Sequence, residues 1–146
     1  MSSFFIREQT YIIAELSANH GHDKERAFDL IKAAKDAGAD AIKLQTYTAD
    51  SLTIPCGNKY FVVKGTAWEG RTLYDLYSEA YTPWEWHPEL INYAKSLGLE
   101  CFSTPFDSSA VDFLESLNVP CHKVASFELV DIALLKKIAS TGKPVL

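Results

Sequence analysis

The chain has 146 residues, 47% hydrophobic and 12% aromatic, enough for a buried core and unlike a disordered or low-complexity tract. Its net charge of −5 comes with no basic run, which argues against nucleic acid or anionic membrane as partners, so any anionic ligand must be met by local groups. No stretch is long and apolar enough to span a bilayer, and the opening MSSFFIREQT lacks a basic segment followed by an apolar one, so a cytoplasmic location is expected.

In chain order, YIIAE at 11–15 reads as a strand. A helix follows Asp23, with Ala27, Leu30, Ile31, Ala34 and Ala37 at helical spacing before the turn residue Gly38. AIKLQ at 41–45 is the second strand. Residues 46–81 form an unusually long connection carrying Tyr47, Tyr60, Phe61, Trp68, Tyr74, Tyr77 and Tyr81, with a short helix expected at LYDLYSEA. Such a loop is either functional or an aromatic packing surface. Thr82, Pro83 and Glu85 predict a capping box that opens a helix running to Gly98.

ECFST at 100–104 is the third strand, and Ala110, Phe113, Leu114 and Leu117 mark the helix after Asp107. CHKVAS at 121–126 is read as a fourth strand. A helix from about Asp131, with Leu134, Leu135 and Ile138 inward, then stops at Gly142, and KPVL at 143–146 begins a fifth strand. Alternating βα units imply an α/β fold with a parallel sheet, either doubly wound or a TIM (β/α)8 barrel of which four units and the start of strand 5 are present.

Register favours the barrel. Gly38, Gly98, Asn118 and Gly142 each close a helix about three residues before the next strand, and Lys43 and Lys123 both stand five residues beyond their turn residue. Alternation turns Ile42, Leu44 and Val124 to the helices and the lysines inward. A lone strand lysine is commonly a snorkelling residue; two in matched register are better read as a pair around an anion, because two ammonium groups side by side otherwise repel.

The inward polar set at the strand ends is Glu15, Asn19, Lys43, Gln45, Thr104, Lys123 and Ser126, and the last shares a ligand with Lys123 only if the strand ends near Ala125. Glu15 is the inward carboxylate of the first strand, suited to pairing with a lysine or to accepting a substrate proton. His20 and His22 have metal-pair spacing but no third ligand, so a solvated turn is expected, and His122 should face the helix side. Cys56, Cys101 and Cys121 have neither CxxC spacing nor an even count, which predicts inert thiols.

The segments IAELSANHG, AGADAIKLQTYT, FSTPFD and HKVASFE, in that order, resemble the sialic acid (nonulosonic acid) synthase family. The insert FVVKGTAWEGRTLYDLYSEAYTPWEWHPEL is most similar to its bacterial pseudaminic acid branch. The resemblance implies a transferase that condenses phosphoenolpyruvate with a 2,4-diacetamido-2,4,6-trideoxy hexose. N-acetylneuraminate and legionaminate synthesis are the alternatives within the family. It also implies a TIM barrel followed by an antifreeze-like domain in a domain-swapped homodimer, residues 1–146 being the first part of the barrel and inactive alone.

By motif position, the resemblance assigns Lys43, Thr104, Lys123 and Ser126 to the phosphate, Glu15 to the reacting carbons, and Gln45 and Phe106 to the sugar. Asn19, Tyr47, Tyr74 and Glu128 are further substrate-binding candidates; Glu15, Lys43 and Lys123 are the catalytic set. A divalent metal, Mn or Mg, is implied, with ligands outside this chain, since His20, His22, His87 and His122 do not match the family's metal positions. Two readings of other classes stay open: a Schiff-base aldolase built on Lys43 or Lys123, and a purely structural fragment with open sheet edges.

Overall fold

The computed structural model describes residues 10–66 and 68–146. Most of the opening segment examined for a leader, residues 1–9, therefore lies outside the described residues. Three parallel strands, β1 (Ile13–Glu15), β2 (Ala41–Thr46) and β3 (Glu100–Pro105), form a sheet in the order β1-β2-β3. The helices are α1 (Lys24–Asp36), α2 (Ala49–Leu52), α3 (Leu73–Ala80), α4 (His87–Ser96), α5 (Ser108–Ser116) and α6 (Ile132–Ser140), with 3-10 turns at Trp84–Trp86 and Phe127–Val130.

One face of the sheet is covered by helices. Ile42, Leu44 and Cys101 pack with Ala27 and Ile31 of α1, Leu90, Ile91 and Ala94 of α4, and Leu114 of α5. Each fully buried Leu or Ile in this layer contributes about 1.5–3 kcal/mol. On the other face Ala41, Phe102 and Cys121 are buried with Tyr11 and Ile13 beside them. The alternation read in AIKLQ therefore holds. α6 packs through Leu134 and Ile138 on Val111 of α5, beside Val124.

The turn repeat is physical. Gly38, Gly98, Asn118 and Gly142 all have positive φ. At the end of α1, the Gly38 and Ala39 amides donate back to the Lys35 and Ala34 carbonyls, which requires the left-handed conformation that glycine enters without cost. At the amino ends Asp23, Asp107 and Asp131 cap α1, α5 and α6 by accepting from the amides of Arg26, Ala110 and Leu134. The short helix expected at LYDLYSEA is α3, capped by Thr72.

Two local expectations are corrected. The stretch read as a fourth strand pairs only by single parallel bridges, His122 with Ser103 on one side and with Val145 on the other. On the Ser103 side Pro105 lacks the N–H that would extend the ladder, while on the other side the His122 amide donates to Pro144, Leu146 to His122 and Val124 to Leu146. Nor does Thr82 build a capping box. Residues 84–86 form a 3-10 turn, α4 begins at His87 with Pro88 in its first turn and no side-chain cap, and the Thr82 hydroxyl is engaged by His20.

Candidate active site at the carboxyl ends of the strands

Strand register sets the order of the inward side chains. Glu15, Lys43 and Phe102 stand level across β1, β2 and β3, and Gln45 is level with Thr104 one pleat higher. The Lys123 amide donates to the Ser103 carbonyl beside the Ser103–His122 bridge, which continues the upper level onto Lys123. Lys43 and Glu15 form an ion pair, with the lysine side chain 15% exposed and the glutamate 37%. Burial, and then the positive charge of Lys123, pull the Lys43 pKa down to about 8. The two ammonium groups are near enough for the charge of one to depress the pKa of the other.

Thr104 is 1% exposed, and its hydroxyl oxygen has no hydrogen-bond partner among the described residues. Leaving a buried hydroxyl unmet costs about 1–3 kcal/mol. On the level that continues onto Lys123, such a hydroxyl is suited to donate to an oxygen of an anion. Ser126 sits where the backbone has already turned into the αR region ahead of the 3-10 turn, so the extended segment does end before it, as sharing a ligand with Lys123 requires.

Above the strand ends lies a cavity of about 380 Å³ bordered by Gln45, Tyr47, Phe106 and Glu128. Tyr47 is 4% exposed and packs edge-on against Phe106 at 5.4 Å and Tyr77 at 5.8 Å. Burial, then Tyr77, push its hydroxyl pKa up to about 12. The Tyr47 carbonyl accepts from the Trp84 indole, which fixes the segment leaving β2. One carboxylate oxygen of Glu128 is buried without a partner among the described residues.

Two sequence candidates stand apart. The Tyr74 hydroxyl donates to Asp50 at 3.0 Å in a separate hollow with Thr48, Ser78 and Tyr81, because α3 turns it away from the strand ends. Asn19 lines a narrow crevice of about 70 Å³ with Ala14, Glu15, Leu30 and Ala34, off the aromatic cavity but beside the first strand's carboxylate.

The histidines are structural. Contrary to the solvated turn expected for His20 and His22, His20 is fully buried. Its Nδ1 accepts from the His22 amide, so Nε2 carries the proton and donates to Thr82 Oγ1 at 3.0 Å. His22 lies against the rings of Tyr81 and Trp86. His122 faces α5 as expected and meets Glu115 at 2.8 Å.

His87, which sequence reading left without a role, lies in a buried chain of hydroxyls. Its Nδ1 donates to the Pro83 carbonyl at 3.2 Å, so Nε2 must accept from Thr46 Oγ1 at 2.9 Å, and Thr46 in turn accepts from Ser103 Oγ at 2.6 Å. Burial holds the ring neutral, with its pKa lowered to about 4. The chain ties α4 to β2 and β3 one residue away from Gln45 and Thr104. A His before a Pro, whose strand partners Thr46 and Ser103 alternate out of phase with Lys43 and Thr104, gave little sequence signal for it.

Among the described residues no group of three or more His, Cys, Asp or Glu is arranged to hold a metal. With the rings of His20, His87 and His122 already engaged, the side chains present do not fit the implied divalent ion. No described helix is long and apolar enough to cross a membrane.

The arrangement defines an α/β protein with a cationic, hydroxyl-bearing strand-end site beside an aromatic cavity. Residues 30–146 match the NeuB family, and the chain belongs to it. It is 49% identical over 135 residues to the pseudaminic acid synthase of Helicobacter pylori, covering 92% of this chain and 40% of that protein. Identity to the pseudaminic acid synthase of Campylobacter jejuni serotype O:2 is 46% over 146 residues, 100% of this chain and 43% of the relative. The chain therefore spans about two fifths of the length of these curated relatives. The crystal structure of an N-acetylneuraminic acid synthetase from Leptospira borgpetersenii, in complex with citrate, superposes with a TM-score of 0.79 at 29% identity, over 94% of this chain and 44% of that one.

Proposed function

We propose that this chain is the first part of the catalytic domain of a pseudaminic acid synthase. The full-length protein condenses phosphoenolpyruvate with a 2,4-diacetamido-2,4,6-trideoxy hexose to a nine-carbon nonulosonic acid and releases phosphate. The observation that carries this is the buried Thr104 hydroxyl, unmet among the described residues, on the level that continues onto Lys123, whose charge reaches Lys43. Identities of 46–49% to two pseudaminic acid synthases support the choice of sugar.

In this reading the sheet is the opening of an eight-stranded barrel. Its stagger of about one residue per strand brings Lys43 of the second strand level with a residue two beyond its ladder partner on the fourth, namely Lys123. An antifreeze-like domain, a homodimeric assembly and a cytoplasmic location complete the proposal.

Lys43, Lys123, Thr104 and Ser126 hold the phosphate through charge-assisted and hydroxyl hydrogen bonds. Glu15, paired with Lys43, faces the reacting carbons. Gln45, Phe106, Tyr47 and Glu128 border the sugar. C3 of phosphoenolpyruvate bonds to the aldehyde carbon of the open-chain sugar, whose oxygen takes a proton. Water adds its oxygen to C2 and gives up a proton, for which Glu15 is the placed acceptor. The C2–O bond to phosphate then breaks, the electron pair leaves with phosphate, the proton of the new C2 hydroxyl passes to the departing phosphate, and the 2-keto acid remains. The lysines stabilise negative charge throughout. The Mn or Mg implied by the family resemblance belongs to residues outside this chain.

The test is phosphate release by the full-length protein with phosphoenolpyruvate, manganese and each candidate sugar in turn. Fastest turnover of the diacetamido sugar of altro configuration supports the proposal. Preference for N-acetylmannosamine or the legionaminic precursor moves the protein to another branch of the family, and no phosphate release with any of them defeats it. The Lys43 amine, lowered to about 8 and flanked by a second lysine, also has the character of a Schiff-base nucleophile. Borohydride with pyruvate separates the two readings.

A further inference from the structure

The cavity above the strand ends has a lining of two kinds. Its polar lining is the Gln45 amide, level with Thr104, and Glu128, one of whose carboxylate oxygens has no partner among the described residues. Its apolar lining includes Leu52, the last residue of α2, Tyr77, in the middle of α3, and Phe127, with the ring of Tyr47 in contact with both Tyr77 and Phe106.

Leu52 and Tyr77 belong to the long connection after β2, so the same insert that departs from the βα rhythm supplies this part of the wall. Its placement is fixed at three points: the Thr48–Ser51 capping box that starts α2, the Tyr74–Asp50 hydrogen bond between α3 and α2, and the Trp84 indole on the Tyr47 carbonyl. The wall is thus held in place rather than left to a wandering loop. A sugar hydroxyl pressed against Leu52 would lose water for an aliphatic surface and go unpaired, whereas a methyl group there gains from burial.

We propose that Leu52 and Tyr77 form a methyl-reading subsite that selects an acylated, deoxygenated sugar over its hydroxylated counterpart, while Glu128 accepts the amide N–H of that sugar. This rests on the condensation proposed above and adds the residues that choose its substrate. The methyl group comes either from the deoxygenated C6 or from the second acetamido group.

The experiment measures kcat/KM of the full-length protein with phosphoenolpyruvate and three sugars: the diacetamido-trideoxy hexose, 6-deoxy-N-acetylmannosamine and N-acetylmannosamine. Wild type, Leu52→Asn, Leu52→Ala and Tyr77→Ser are compared. The preference for the two sugars with an added C6 or second acetamido methyl over N-acetylmannosamine should fall about tenfold or more in Leu52→Asn, the scale at which one methylene is read in an apolar pocket, and less in Leu52→Ala. The KM for phosphoenolpyruvate should stay unchanged, which also shows that the variants fold.

If 6-deoxy-N-acetylmannosamine already shows the full preference, the methyl is C6; if only the diacetamido sugar shows it, the methyl is the acyl group. Equal losses on all three sugars in Leu52→Asn and Tyr77→Ser would overturn the subsite while leaving the condensation standing. Absence of phosphate release by wild type with every sugar would instead remove the condensation beneath it.

Discussion

A neutral histidine sealed between a helix and two strands makes a quantitative prediction about acid. His87 has its pKa lowered from 6.5 to about 4, chiefly by burial. The unfolded chain therefore binds a proton between those values that the folded chain refuses, so the contribution is complete above pH 6.5 and is lost as pH falls toward 4. At 1.36 kcal/mol per pH unit, the loss is about 3 kcal/mol for a group with this lowering. His87→Asn removes the titration. It should also destabilise the protein at pH 7.5 by about 1–3 kcal/mol, since the Thr46 hydroxyl or the Pro83 carbonyl then loses its partner. The assay is urea unfolding of wild type and variant from pH 8 to pH 4, followed by tryptophan emission, to which Trp84, stacked at 4.9 Å on Phe113, contributes. Subtracting the two curves cancels groups that titrate alike in both proteins. The advantage of wild type should shrink steadily below pH 6.5. An advantage that stays constant down to pH 4 would show that His87 is not held neutral, and the hydrogen-bond direction assigned through Thr46 and Ser103 would fall with it.

Thr104→Val should act in opposite directions on stability and ligand binding. Removing the unmet hydroxyl should stabilise the free protein by about 1 kcal/mol, read by urea midpoint, while the KM for phosphoenolpyruvate rises severalfold. Lys123→Ala should weaken phosphoenolpyruvate binding in calorimetry and raise the Lys43 pKa, since one of the two causes lowering it is gone. Borohydride reduction in the presence of pyruvate should leave no lysine adduct by mass spectrometry; a covalent adduct on Lys43 or Lys123 would replace the anion site with Schiff-base chemistry. Iodoacetamide on the native protein should label half-buried Cys56 and spare buried Cys101 and Cys121, whose thiols burial pushes up to about 12.

What could be read from residues alone were features that local chemistry dictates. Asp23, Asp107 and Asp131 announce helix starts because a carboxylate finds free amides wherever it stands, and Gly38 and Gly98 announce helix ends because few residues enter positive φ. Period-2 alternation placed Lys43 and Gln45 on the inner face before any register was known.

The misses have one kind of cause: a distant group competing for a local donor or acceptor. Thr82 has the sequence of a capping residue, but His20, 62 positions away, takes its hydroxyl. The fourth strand looked continuous in CHKVAS, yet its ladder with β3 depends on an amide that Pro105 does not have. Tyr74 follows motif position, while the direction of α3 takes its hydroxyl to Asp50. The His87–Thr46–Ser103 chain joins three segments and leaves no periodic trace in any of them.

Phe102, level with Lys43 and fully buried beside Ala41 and Cys121, has a consequence for how this architecture diversifies. It sets an apolar base beside Lys43 and one pleat below Lys123, which narrows the side from which water can reach either lysine. Whatever settles on top is felt at short range and weak screening. Because the base belongs to the strands and the upper rim to the connections, the rim can be exchanged without lifting the base. Close cousins can then differ in the guest they hold while keeping the same foundation.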